Sequence, residues 1–112
     1  MNLLQHLLVK LSEECNEVAK EALKITIFGP GDHNPKDIPK TTNVERLYQE
    51  LDDLQACIEL LNTSGLGYTP DPRRILDKKV KVLKYLEYSI NRGMTDRNAS
   101  YEYDECVNPT VC

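Results

Sequence analysis

Residues 11–24 read LSEECNEVAKEALK, and this stretch decides how the rest of the chain is interpreted. Apolar residues recur through and around it at intervals of three and four, which is typical of one buried helical face. The members of this face are Leu4, Leu7, Leu8, Leu11, Cys15, Val18, Ala22 and Ile25. Glu14 lies three residues after Leu11 and four before Val18, so it falls on the edge of the face, with Glu17 one step further round. A carboxylate in this position is costly unless its charge is compensated.

Residues 43–62, NVERLYQELDDLQACIELLN, repeat the arrangement on a second predicted helix. The apolar stripe of this helix consists of Leu47, Leu51, Leu54, Ile58 and Leu61. Glu50 lies three residues after one stripe residue and four before the next, as Glu14 does in its own stripe. Asp53 follows Glu50 by three residues, as Glu17 follows Glu14. If the two stripes pack together, the four carboxylates meet at one point. Such an oxygen-only site suits Mg²⁺, with Mn²⁺ as the alternative.

The bulk composition indicates one globular domain. The chain has 112 residues, 40% of them hydrophobic and 29% charged, with a net charge of −4. This balance argues against a general nucleic-acid-binding surface, and the longest apolar run is too short to cross a membrane. Because the chain leads directly into an amphipathic helix, we expect a cytoplasmic protein, located in the host cytoplasm if it is viral.

Stop and start signals divide the chain into three main helices, predicted at residues 3–28, 43–62 and 72–92. Thr42 with Glu45, and Asp71 with Pro72, are helix-opening signals. The segment GPGDHNPKDIPK at residues 29–40 is a loop, which either folds over a ligand or serves as a plain tether. Residues 1–93 are predicted to form the domain, and residues 94–112 a flexible tail or a partner-contacting arm.

The third helix carries a basic cluster. Its apolar stripe consists of Ile75, Leu76, Val82, Leu83, Leu86 and Ile90. Lys79 interrupts the stripe in the phase that Glu14 and Glu50 take in theirs, where its ammonium could contact a phosphate. The alternative is a lysine whose stem packs while its head reaches water. Lys78 and Lys81 are weaker candidates for the same role.

The predicted fold class is all-α, a helical bundle of three main helices per chain. Three helices with one-sided stripes cover each other poorly in a chain this short. We therefore expect homo-oligomerisation to complete the bundle. Cys15 and Cys57, on or beside the apolar faces, are expected to be small buried hydrophobes.

Two acidic motifs carry a family resemblance. Residues 13–17, EECNE, fit EExxE, and residues 50–53, ELDD, fit ExxD. Together they resemble the MazG family of all-α nucleoside triphosphate pyrophosphohydrolases, and its short phage-type members most closely. The resemblance covers residues 8–93. The interval from Glu17 to Glu50 is longer than usual in the family, which leaves the loop and the substrate choice open.

The resemblance implies Mg²⁺-dependent hydrolysis of nucleoside triphosphates, preferably deoxynucleotides, to the monophosphate and pyrophosphate, with a role in nucleotide-pool control. It also implies a homodimer or homotetramer. The metal ligands would be Glu14, Glu17, Glu50 and Asp53. Glu13 would orient or deprotonate the attacking water, unless it is simply a solvated glutamate. Lys79 would stabilise the leaving pyrophosphate.

Other functions remain open from the sequence alone. A non-catalytic nucleotide-binding or helical interaction protein would bind ligand without releasing pyrophosphate. An accessory protein for DNA or RNA would show salt-sensitive binding. Within the enzyme class, the alternatives are a dUTP- or dCTP-specific pyrophosphohydrolase and a phosphoribosyl-ATP pyrophosphohydrolase.

Overall fold

The computed structural model describes residues 1–97, and this part of the chain contains three helices. Helix α1 spans Leu3–Phe28, α2 spans Asn43–Thr63 and α3 spans Pro72–Asn91. Over the described residues the chain has no β-strand, so the prediction of an all-α protein is confirmed. The predicted bounds agree with the observed ones to within one residue. None of the described helices is long and apolar enough to cross a membrane.

Polar caps fix where the helices begin. The Thr42 hydroxyl accepts a hydrogen bond from the Glu45 amide at 3.2 Å, and the Asp71 carboxylate accepts from two amides of the first turn of α3. Both caps were predicted. The sequence interpretation missed a third, in which Asn2 and Gln5 exchange side-chain-to-backbone hydrogen bonds of 2.8 Å at the start of α1. Each cap satisfies amides that have no partner within the helix.

The described chain divides into two compact units. The first is Met1–Gly67, which contains α1, the loop and α2, and the second begins at Tyr68 and contains α3. The prediction of one domain over residues 1–93 stays a prediction. In the first unit, α1 and α2 form an antiparallel hairpin. At one end of the hairpin, the Cys57 thiol lies 3.6 Å from the Leu7 carbonyl oxygen. At the other end, the side-chain amide of Asn43 donates a hydrogen bond to the Gly29 carbonyl oxygen at 3.0 Å.

The hairpin is held together along a narrow seam. Its residues alternate at intervals of three and four, the spacing of a coiled-coil interface. On α1 the seam positions are Leu4, Leu7, Leu11, Glu14, Val18, Glu21 and Ile25. On α2 they are Asn43, Leu47, Glu50, Leu54, Cys57 and Leu61, of which Leu61 is fully buried. Three glutamates therefore lie within the seam, and not only at its edge.

The predicted buried face of α1 is wrong at three positions. Leu8, Cys15 and Ala22 are exposed, whereas Cys57 of α2 is buried as expected. The sequence contains two neighbouring apolar rows, and a contact with a single helix covers only the narrower seam. Leu8, Cys15 and Ala22 each follow a seam residue by one position and remain outside it.

The loop is fastened to the first turn of α2. The backbone amides of Asn43 and Val44 donate to the carbonyl oxygens of Asp32 and Pro30, at 2.8 and 3.1 Å. Arg46 forms a 2.8 Å salt bridge with Asp37. These contacts give residues 30–42 a defined course beside the helix ends.

The second unit presents α3 with no buried residue. The apolar side chains of its stripe are largely exposed, for example Val82 at 52% and Leu83 at 59%. Residues 94–97 return toward the end of α3, where the Met94 amide donates to the Ser89 carbonyl oxygen at 2.9 Å. The rest of the predicted tail, residues 98–112, lies outside the described residues.

We expect Leu61→Ala to lower the free energy of unfolding by about 2–5 kcal/mol, because it leaves a cavity at the one fully buried side chain of the seam. Leu60→Ala is the matched control. Leu60 is its neighbour on α2 and is 55% exposed, so its truncation should cost less than about 1 kcal/mol. Urea denaturation of both variants measures the difference. Equal losses would contradict the assignment of the seam.

Candidate functional site

Three carboxylates meet across the hairpin. Glu14 of α1 and Glu50 and Asp53 of α2 each offer an oxygen, and these oxygens all lie within 4.8 Å of one another. Glu14 and Glu50 are partly buried, and Asp53 is exposed. They come together because Glu14 and Glu50 occupy facing seam positions and Asp53 lies one turn beyond Glu50. We call this group the acidic cluster. It contains three of the four predicted metal ligands.

No lysine, arginine or histidine among the described residues forms a salt bridge with any of the three members of the acidic cluster. Lys10 lines the same groove as Glu14 and Asp53, and its pKa is raised by its hydrogen bond and charge interaction with Glu13 and, less strongly, by the charge of Glu14. The other glutamates of α1 do have lysine partners. Lys10 pairs with Glu13 at 2.8 Å, Lys20 with Glu17 at 4.0 Å and Lys24 with Glu21 at 3.4 Å. The negative charge is thus compensated around the cluster but not within it.

The carboxyl group of Glu50 shows the effect of its burial and of the neighbouring negative charges. Burial raises the pKa of its carboxyl above the ordinary value, and the negative charges of Asp53, Glu17, Glu14 and Glu21 raise it further. Both effects disfavour the ionised form. A cation bound by the cluster would reverse the second effect, since it would replace repulsion between carboxylates by attraction to a shared charge.

The fourth predicted ligand, Glu17, lies outside the group of three. Its side chain is 47% exposed, and its charge still contributes to the raised pKa of Glu50. Glu13, the predicted catalytic residue, also lies outside the cluster. It is exposed and bound to Lys10, whose hydrogen bond and positive charge lower the pKa of the Glu13 carboxyl. The roles of both residues stay predictions.

The burial of Glu21 in the seam was not predicted. It is only 4% exposed, and its Oε2 atom has no hydrogen-bond partner. A signal was present in the sequence, because Glu21 follows Glu14 by seven residues and therefore returns to the same side of α1. An apolar seam normally excludes carboxylates, so three glutamates in this seam indicate a functional constraint on it.

The acidic cluster opens onto a groove between the two helices. Its lining consists of Leu7, Lys10, Glu14, Asp53, Ala56, Cys57 and Leu60. Burial and the neighbouring Glu14 charge raise the pKa of the Cys57 thiol. A thiol with a raised pKa is a poor nucleophile at neutral pH, so Cys57 serves packing here.

A second cavity lies at the loop end of the hairpin, and we call it the loop cavity. It is lined by Lys24, Phe28, Asp32, His33, Asn34, Pro35, Asn43 and Arg46. The loop was predicted either to cover a ligand or to be a tether, but its partner residues on the helices were not identified. The contact of residues separated by up to 22 positions cannot be inferred from local pattern.

The predicted phosphate-binding lysines belong to the second unit. Lys78 and Lys79 line an open groove beside the start of α3, together with Tyr68, Thr69, Asp71, Arg74 and Ile75. Lys81 is exposed on the same helix and is not part of that lining. The part of all three in substrate binding stays a prediction.

Comparison with models of known families, with curated proteins and with solved structures gives no significant match to this chain. The resemblance to the MazG family therefore rests only on the two acidic motifs and on their positions relative to the apolar stripes of their helices.

We expect Glu50→Gln to stabilise the metal-free protein at neutral pH. Because the pKa of Glu50 is raised on folding, the folded state keeps its proton to higher pH than the unfolded state. The free energy of unfolding therefore falls as pH rises from the ordinary carboxyl pKa of 4.5 through the raised pKa of Glu50. Above the raised pKa, the free energy of unfolding stays at this lower level. In EDTA at pH 7, the variant should unfold about 2 °C or more above the wild type, with the gap closing toward pH 4.

Glu59→Gln is the control for this thermal measurement, since Glu59 is an exposed glutamate of the same helix. It should leave the pH dependence unchanged. A Glu50→Gln protein that is less stable than the wild type at pH 7 would show that the cluster is not under repulsion.

Proposed function

We propose that this protein hydrolyses nucleoside triphosphates, preferably deoxynucleotides, to the monophosphate and pyrophosphate, with Mg²⁺ as cofactor and Mn²⁺ as an alternative. The observation that carries the proposal is the convergence of three carboxylates from two helices, none of which forms a salt bridge with a described lysine, arginine or histidine. The EExxE and ExxD motifs that supply these residues favour a MazG-like pyrophosphohydrolase.

The burial of the acidic cluster supports a metal site over a merely solvated acidic face. Solvated carboxylates separate and lie away from core stripes, whereas Glu14 and Glu50 occupy seam positions and are partly buried. Partly buried charges of one sign persist when a ligand of opposite charge compensates them. Carboxylate oxygens are the ligands that Mg²⁺ and Mn²⁺ prefer.

The form of the cluster also favours a phosphate substrate. Mg²⁺ is commonly held by one or a few carboxylates together with substrate phosphates, and not by a complete protein cage. Asp53 is exposed, and the cluster opens onto a groove, so one side remains accessible. Without a metal, the carboxylates would repel a triphosphate, and binding of the two should therefore be mutually dependent.

The residues have distinct roles in this proposal. Glu14, Glu50 and Asp53, together with Glu17, would hold the metal. A metal bound there would supply neutralisation of the triphosphate charge and a lowered pKa for the attacking water. The MazG resemblance implies that Glu13 would orient that water, and that Lys79, with Lys78 and Lys81, would stabilise the departing pyrophosphate. Direct attack by water requires no covalent intermediate on the protein.

We also propose that the active form is a homodimer or homotetramer in the cytoplasm, with no nucleic-acid or membrane partner. The exposed apolar side chains of α3 support this, because a soluble monomer rarely leaves a continuous apolar helix face in water. A second copy of the chain offers the same face, as a two-fold interface requires.

Pyrophosphate release from a panel of dNTPs and NTPs, with and without Mg²⁺, tests the reaction. The wild type should release pyrophosphate only with the metal. Glu50→Gln should lower kcat at least about 100-fold, since even residues behind a metal ligand cost 10- to 100-fold when they are replaced. Glu59→Gln should retain wild-type activity.

A folded wild-type protein that releases pyrophosphate from no nucleotide would reject the enzyme and leave a non-catalytic binding protein. Release from dUTP, dCTP or phosphoribosyl-ATP alone would instead assign one of the more specific activities. Release that Glu50→Gln retains would separate the reaction from the acidic cluster.

Leu83→Lys should shift the protein to smaller species in sedimentation velocity, because it places a charge within the apolar face of α3. Lys84→Ala is the control on the adjacent, charged side and should leave the sedimentation coefficient unchanged. A wild-type protein that sediments as a monomer at all concentrations would contradict the proposed assembly.

A further inference from the structure

We propose that the loop cavity binds the nucleoside part of the substrate and sets the base preference, with Phe28 and His33 in contact with the base. This inference rests on the proposed function, because it takes the triphosphate to lie at the acidic cluster.

The loop cavity and the acidic cluster open on the same side of the hairpin. On α1, Lys10, Glu17 and Lys24 are spaced by seven residues, which is about two helical turns, so they form one row along the helix. The same spacing on α2 joins Arg46, Asp53 and Leu60. Lys10 and Asp53 line the groove of the acidic cluster, and Lys24 and Arg46 line the loop cavity. Two rows thus border one continuous side of the seam.

The separation of the two sites suits a nucleotide. Arg46 precedes Glu50 by four residues and Asp53 by seven, which corresponds to about 6 and 10 Å along the axis of α2. This is comparable to the extended length of a triphosphate. A nucleotide whose phosphates reach the acidic cluster can therefore place its sugar and base at the loop end.

The polar groups of the loop cavity are held in place before any ligand arrives. Lys24 is bound by Glu21 at 3.4 Å, and Arg46 is bound by Asp37 at 2.8 Å. Asn43 is only 7% exposed, and its side-chain amide donates to the Gly29 carbonyl oxygen at 3.0 Å. Fixed donors lower the entropic cost of binding and favour one orientation of a ligand.

The charge of the loop cavity favours a neutral ligand over a phosphate. Its two cations, Lys24 and Arg46, each already have a carboxylate partner. Asp32 in the lining adds a further negative charge. With the positive charge fully compensated, a phosphate gains little here, whereas an uncharged sugar and base meet no repulsion.

Flat side chains complete the match to a base. Phe28 ends α1 and is 61% exposed, and His33 of the loop lines the same cavity. Stacking of a base on an aromatic ring is worth about 1–3 kcal/mol and depends little on which base it is. The amide of Asn34 and the fixed cations supply the hydrogen bonds that distinguish one base from another.

The experiment compares Phe28→Ala and His33→Ala with Ile38→Ala. Ile38 is a loop residue that is 94% exposed and does not line the cavity. With Mg²⁺ and a panel of dNTPs, each cavity variant should raise KM for the preferred nucleotide about 10-fold and leave kcat within about twofold, the pattern of lost ground-state binding. Ile38→Ala should match the wild type, and Mn²⁺ binding in the absence of nucleotide should be equal in all of them.

A second measurement needs no hydrolysis. Free 2′-deoxynucleosides, which carry no phosphate, should shift the backbone amide signals of His33 and Asn34 in NMR spectra, and the order of affinity should follow the order of base preference. Hydrolysis with unchanged KM in both cavity variants, and no shift of these signals, overturns the cavity assignment alone. Shifted loop signals without any hydrolysis keep the nucleoside site and reject the pyrophosphohydrolase. Neither shifts nor hydrolysis rejects both.

Discussion

The presence of two glutamates, Glu14 and Glu50, in the α1–α2 seam is the constraint on which the rest of the first unit depends. Both occupy positions in the α1–α2 seam where an apolar residue would stabilise the hairpin more, and Glu21 adds a third carboxylate to the same interface. The leucines at the Leu61 end and the fastened loop at the other end hold the helices together around this unfavourable centre. A site that binds a cation strongly is of this kind, because the stability lost in the free protein is regained on binding.

The sequence was sufficient for the helices and for the three members of the acidic cluster. Thr42 and Asp71 mark their helix starts by side-chain chemistry that acts over two or three residues, and such local signals can be read without a structure. Glu14, Glu50 and Asp53 were predicted to meet because each has a fixed phase relative to an apolar stripe. The position of a residue relative to the apolar stripe stays the same when a predicted helix end is wrong by one or two residues.

The sequence was not sufficient where the outcome depends on which of two apolar rows is covered. Cys15 belongs to a row that satisfies the helical spacing as well as the true seam does, and only the position of α2 decides between them. The burial of Glu21 follows from the same choice. The loop cavity escaped prediction for another reason, because Arg46 and Lys24 are brought together by the course of a loop rich in proline and glycine, for which no periodicity exists.

The two sides of the hairpin differ in character. One carries the rows of charged residues beside the acidic cluster, and the other carries Leu8, Cys15 and Ala22 of α1 and Leu51 of α2, all of them exposed. A neighbouring helix can cover this apolar side without narrowing the groove on the opposite one. If the proposed assembly and reaction hold, the two are therefore separable in the first unit, and substitutions on the apolar side need not disturb the groove.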